Sequence, residues 1–120
     1  MQQIMIVGAG SVGGFFGVHL AKGNPNVSFL LRPRTLQAVK ERGLILRSAS
    51  GTLTVRPPAA SDPRELVRPD LIILAVKAYD LDEVMDQLEP VLTAKTIILT
   101  LQNGVDVEDR IHSRLHRDCV

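Results

Sequence analysis

The sequence predicts an α/β fold: a doubly wound, mostly parallel sheet with helices on both faces. Three observations carry this. Strand-like and helix-like segments alternate along the chain, which is the pattern of a parallel sheet covered by its own crossover helices. The strand candidates Ile4–Val7 and Leu71–Val76 are continuous apolar runs, as expected for strands covered on both faces rather than one. The first of them breaks directly into Gly8-Ala9-Gly10-Ser11-Val12-Gly13, a G-x-G-x-x-G sequence that opens an amphipathic stretch.

The strand, turn and helix around those glycines read as a Rossmann-type dinucleotide-binding unit. Gly8 permits the tight strand-to-helix turn, Gly10 lets backbone approach a pyrophosphate, and Gly13 lets the helix pack close to the strand. Ser11 lies in the same loop and can offer a hydroxyl to phosphate. The pyrophosphate would sit on unpaired N–H groups at the positive end of the helix. Val12, Phe15, Phe16 and Leu20 supply a helical stripe that stops at Gly23.

Val27–Leu31 is the second strand and closes a βαβ unit. Its end falls where an adenosine ribose lies in such folds. Sites for the unphosphorylated dinucleotide commonly place Asp or Glu there, whereas a 2′-phosphate favours arginine. Here the sequence is Arg32-Pro33-Arg34, with no acid adjacent. A guanidinium can pair bidentately with phosphate, and a carboxylate would repel it. The expected cofactor is therefore NADP(H), with Arg32 as the main contact and Arg34 as a second.

Thr35 then caps a short helix carrying Leu36 and Val39 that ends at Gly43. Leu44–Arg47 and Thr52–Val55 flank Ser48-Ala49-Ser50-Gly51 as a hairpin. Pro57, Pro58 and Asp62-Pro63 make a connector with one helical turn near Arg64–Val67. Asp70 leads into the strand Leu71–Val76. Asp80 and Glu83 form an aspartate version of the capping box, opening a helix with the stripe Leu81, Val84, Met85, Leu88 and Leu92. Thr96–Leu101 is the next strand, and Asp106 caps a final helix with Val107, Ile111 and Leu115 inward. Arg117-Asp118-Cys119-Val120 reads as a loop and the first residue of a further strand, so residues 1–120 are expected to be one domain cut from a longer protein.

Composition narrows the function. A chain of 120 residues forms one domain able to bury roughly two thirds of its unfolded surface. A net charge of +1, from 14 basic and 13 acidic residues, gives no reason to expect nucleic acid or an anionic membrane. The longest apolar run is too short to span a bilayer, and the short apolar start runs straight into the glycine loop, unlike a secretory signal. One cysteine, Cys119, cannot form an internal disulfide, which fits a cytoplasmic setting.

In open α/β sheets, ligand-contacting residues collect at the carboxyl ends of strands. Lys77 follows Leu71–Val76, and Asn103 follows Thr96–Leu101. A cation and an amide on neighbouring strand ends can bracket a nicotinamide and a carbonyl substrate, the lysine holding an anion or stabilising charge on the carbonyl oxygen. By spacing alone, a surface lysine and an Asn-Gly turn fit equally well.

Gly8-Ala9-Gly10-Ser11-Val12-Gly13, Arg32, Lys77-Ala78-Tyr79-Asp80 and Leu101-Gln102-Asn103-Gly104-Val105, in this order, resemble the amino-terminal domain of the ketopantoate reductase (2-dehydropantoate 2-reductase) family over nearly the whole chain. The resemblance implies that the glycine loop and Arg32 bind NADPH, and that Lys77 and Asn103 line the cofactor and substrate site. It implies hydride transfer to the ketone of ketopantoate, or of another small 2-oxo acid, on the route to pantothenate and coenzyme A. It also implies that the general-acid lysine, an acidic substrate anchor and a helical second domain lie beyond residue 120. These residues alone would then bind cofactor without turnover. A surface normally covered by that domain can make the piece self-associate as a homo-oligomer.

Two other functions fit less of the sequence. A non-catalytic nucleotide-sensing module would use the same glycine loop. A methyltransferase would too, but Arg32 stands where an acid usually holds the ribose. His112, His116 and Cys119 have a spacing that can face zinc, but a fourth ligand is not evident, and no metal is expected. His19 is expected at the surface or in packing, Tyr79 to pack its loop, and Arg110, Arg114 and Arg117 to form a solvated helix face.

Overall fold

The computed structural model describes residues 2–8, 17–101, 105–115 and 117. Among them, five parallel strands form the main sheet: β1 (Ile4–Val7), β2 (Val27–Leu30), β5 (Ala59–Ala60), β6 (Leu71–Leu74) and β7 (Ile97–Thr100), in the order β5-β2-β1-β6-β7. The hairpin β3 (Leu44–Ser48) and β4 (Gly51–Val55) forms a separate antiparallel ribbon. The helices are α1, described over residues 17–21, then α2 (Pro33–Arg42), α3 (Leu81–Leu88) and α4 (Val105–Leu115).

The strand alternation explains the continuous apolar runs. Successive side chains of a strand point to opposite faces. Met5, Val7, Ile72 and Leu74 therefore pack with Leu81, Met85, Leu88 and Ile111 of α3 and α4 on one face. Ile6, Ile73 and Phe29 pack with Val18 of α1, Val39 of α2 and Leu44 of the hairpin on the other. Each large apolar side chain so buried contributes about 1.5–3 kcal/mol relative to exposure. Asp70 joins the strand starts, since its Oδ2 accepts from the Gln3 N–H at 2.8 Å.

The glycine that brings α1 against the sheet is Gly17. A Cβ there would lie well inside van der Waals contact of the Phe29 ring, which is fully buried. Gly17→Ala should gain up to about 1 kcal/mol of helix propensity. Overpacking costs about 1–3 kcal/mol and outweighs it. The expected result is a lower denaturation midpoint, partly recovered by adding Phe29→Leu. Gly13, expected to pack close to the strand, lies outside the described residues, as do Val12, Phe15 and Phe16.

Several boundaries differ from expectation. The cap of α2 is Arg32, not Thr35: Pro33 takes the first helical position, where its missing N–H costs nothing. Strand β5 is absent from the sequence reading because only two residues, between Pro58 and Ser61, pair with β2. Strand β6 stops at Leu74 and β7 spans Ile97–Thr100, each two residues shorter than its apolar run. The turn after Asp62 is Pro63–Glu65, with the Asp62 carboxylate accepting from the Arg64 N–H at 3.0 Å. Leu92 lies past the end of α3, yet still packs on the core. Asp106 lies inside α4, which begins one residue ahead of it.

Arg110, Arg114 and Arg117 are not simply a solvated face. Arg110 lies 3.3 Å from Asp82, and Arg114 pairs with Asp86 and, at 3.4 Å, with Glu89. Four-residue spacing on α3 matches four-residue spacing on α4, so the two helices meet charge to charge. The hydrogen bond to Asp86, reinforced by the charge of Glu89, raises the Arg114 guanidinium above its ordinary value. Arg117 donates to the carbonyls of Thr96 and Thr93, both at 2.8 Å, and secures the turn before β7. Among the described residues, no helix is long and apolar enough to cross a membrane.

Candidate functional site

Strand order decides where the site lies. From β1 the chain moves outward to β2 on one side, and it later returns to lay β6 on the other. The crevice beyond the carboxyl ends of β1 and β6 is thus a topological switch point, the usual ligand position in such sheets. The strand ends are level: Val7 pairs with Leu30 and with Leu74. The Gly8 N–H donates to the Leu30 carbonyl at 3.1 Å, and the Ala75 N–H to the Val7 carbonyl at 3.0 Å.

A cavity of about 480 Å³ opens there, within the range of about 300–1,000 Å³ usual for small-ligand clefts. Its polar and glycine lining includes Gly8, Arg32, Thr35, Ser61, Lys77 and Asp80. Gly8 has φ of +97°, and a Cβ on it would lie 2.8 Å from the Ala75 carbonyl oxygen. Backbone alone fits at this point, so the ends of β1 and β6 cross closely at the edge of the cleft.

Arg32 leaves the end of β2 and Lys77 leaves the segment after β6. The structure brings them to the walls of one cavity, although they stand 45 positions apart in the chain. Arg34 stands exposed on the first turn of α2, outside that lining. Tyr79 does not pack its loop; it is 83% exposed, because the short helical turn over 78–80 carries it away from the core. Gly10, Ser11, Gly13 and Asn103 lie outside the described residues. So do His116 and Cys119, and with them the histidine–cysteine constellation.

Acidic groups do reach Arg32, from the far side of β1. The guanidinium pairs with Asp80, and Glu83 stands 3.9 Å away. Asp80 holds the N-cap position of α3 as expected, but the capping-box hydrogen bond does not form. Its side chain makes no cap hydrogen bond, because its carboxylate is engaged by Arg32 and its backbone is already helical. The chain signal was present as Asp80 and Glu83, but nothing local to Arg32 points to them. Ser61 follows β5, which no side-chain pattern marks, and Thr35 lines the cavity instead of capping α2.

The match to known proteins settles the lineage. Residues 4–120 match the family model described as ketopantoate reductase PanE/ApbA. The chain belongs to the ketopantoate reductase family. A 2-dehydropantoate 2-reductase of Mesorhizobium japonicum is 36% identical over 104 residues, covering 86% of this chain and 32% of that protein. The crystal structure of a PanE/ApbA family ketopantoate reductase from Ralstonia eutropha JMP134 is similar at a TM-score of 0.83 and 34% identity, covering 92% of this chain and 37% of that one. A ternary structure of D-mandelate dehydrogenase with NADH and anilino(oxo)acetate reaches the same TM-score, 0.83, at 28% identity, covering 92% and 36%. The chain spans about a third of the length of the curated relatives it matches. The family match fits the Rossmann-type, wholly parallel main sheet, and both bear out the expected fold.

Proposed function

We propose that this chain is the dinucleotide-binding part of an NADPH-dependent 2-oxo-acid reductase, acting on 2-dehydropantoate to give pantoate for pantothenate and coenzyme A synthesis in the cytoplasm. The observation that carries the reading is the cleft at the switch point, with bare backbone at Gly8 on its floor and cations on two strand ends.

The residues present fit such a cofactor. Gly8 lines the cleft without a side chain, and Gly10, Ser11 and Gly13 follow it in the sequence to cradle the pyrophosphate. Arg32 offers a planar fork to the 2′-phosphate. When bound, the nicotinamide supplies the hydride. Lys77 holds the anionic end of the oxo acid or the charge that develops on its carbonyl oxygen, and Asn103 orients the reactants. The proton for that oxygen comes from a general acid outside residues 1–120, as the family resemblance implies.

The test is steady-state reduction of a panel of small 2-oxo acids by the full-length protein with NADPH. Turnover of 2-dehydropantoate is expected, with Lys77→Ala lowering kcat about 10²–10³-fold, the usual cost of one group that stabilises a developing oxyanion. A folded protein that binds the dinucleotide but reduces no member of the panel would favour the nucleotide-sensing reading.

A further inference from the structure

We infer that Asp80 sets the dinucleotide preference of this site by competing with a 2′-phosphate for Arg32. The inference rests on the nicotinamide-dinucleotide reading above and adds to it a residue from a different strand end.

Arg32 is the cation at the end of β2, and its side chain is 61% exposed toward the cleft mouth. Asp80 is the more enclosed partner, with 19% of its side chain exposed, while Glu83 is 67% exposed. Both carboxylates line the same cavity as the guanidinium. One guanidinium thus faces two carboxylates, a trio of net charge −1 before any ligand arrives, with Lys77 elsewhere in the same lining. A 2′-phosphate that reaches Arg32 must displace Asp80 or share the guanidinium with it. Either way, like charges lie close together in a partly enclosed cleft, and such a juxtaposition selects against the ligand that carries the extra charge. A ribose 2′-hydroxyl suffers no such repulsion, and a carboxylate can accept from it. Asp80 therefore supplies from across β1 the acid that the end of β2 lacks. The arginine favours the phosphorylated dinucleotide, and the aspartate limits how far.

Asp80→Asn keeps the volume and the helical backbone while removing the charge. Titrating the wild type and this variant with NADPH and with NADH, followed by nicotinamide fluorescence, measures the preference directly. The variant is expected to raise the NADPH-over-NADH affinity ratio about tenfold, and the gain should shrink as salt rises, which a purely structural effect would not do. Glu83→Gln, at a longer and more exposed contact, should give a smaller gain. A ratio that stays constant or falls in Asp80→Asn, with NADPH still bound, would overturn the role given to Asp80 and leave the cofactor reading standing. Failure of the folded wild type to bind either dinucleotide would remove the cofactor reading, and this inference with it.

Discussion

Arg32→Ala is expected to weaken NADPH binding about 10- to 100-fold and to leave NADH within about threefold. A hydrogen bond to a charged group is worth about 1.5–3 kcal/mol, and each 1.4 kcal/mol is a factor of ten. The side chain is more exposed than buried, which places the loss toward the lower end in physiological salt. A second contribution acts the same way: without the guanidinium, Asp80 and Glu83 remain in the cleft with no counter-ion from that side chain. The substitution should not unfold the chain. Arg32 caps α2 through its backbone alone, its carbonyl accepting from the Leu36 N–H at 2.8 Å, with no side-chain cap. The protein has no Trp and one Tyr, so nicotinamide fluorescence reads the titration with little background. Equal binding of NADH and NADPH by both wild type and mutant would sink the 2′-phosphate argument.

The same pair of residues shows how far the sequence carries. Arg32 was legible because the reading proposed for it is local: it follows an apolar strand, at the place where a βαβ unit is expected to meet a ribose. Asp80 was legible only as a helix opener. Its role at the cleft depends on β2 and β6 lying on opposite sides of β1 with their ends in register, and no local pattern encodes that. Lys77 stands between these cases, since its place at a strand end was readable but its company in the cleft was not.

The fold was legible for a physical reason too. Ile4–Val7 and Leu71–Leu74 are covered on both faces, so burial writes itself into the chain as unbroken apolar runs, and Val27–Leu30 departs from this only at the buried Ser28. Strand β5 defeats that reading. Ala59–Ala60 joins the sheet because the Phe29 and Leu31 N–H groups need acceptors, which the Pro58 and Ala60 carbonyls supply at 2.9 Å. Backbone satisfaction, not side-chain pattern, makes it a strand. The start of α2 shows a different competition, in which a proline at the first turn outranks a threonine two residues later.

Gly8→Ala tests whether the floor of the cleft must be bare backbone. Two costs coincide at this residue. Its φ of +97° is a conformation that side chains rarely adopt, worth about 1–3 kcal/mol of strain. The added Cβ would also sit 2.8 Å from the Ala75 carbonyl oxygen, and that carbonyl belongs to backbone tied to β1 through the Ala75 N–H. Overpacking of this kind costs about a further 1–3 kcal/mol. Against a typical total stability of about 5–15 kcal/mol, a loss of about 2–6 kcal/mol should lower Tm by roughly 10–30 °C in a domain of this size. Gly23→Ala separates the two costs. Gly23 also has positive φ, +73°, but a Cβ there would meet nothing within 4 Å among the described residues. It should lose only the conformational part, about 1–2 kcal/mol. The difference between the two melting temperatures then measures the collision at Ala75. If the variants melt together, the β1–β6 junction yields to a methyl group, and close backbone approach at Gly8 is not what the cleft requires. If Gly8→Ala melts far lower, the glycine is fixed by the crossing of two strand ends, whatever the cleft beside it receives.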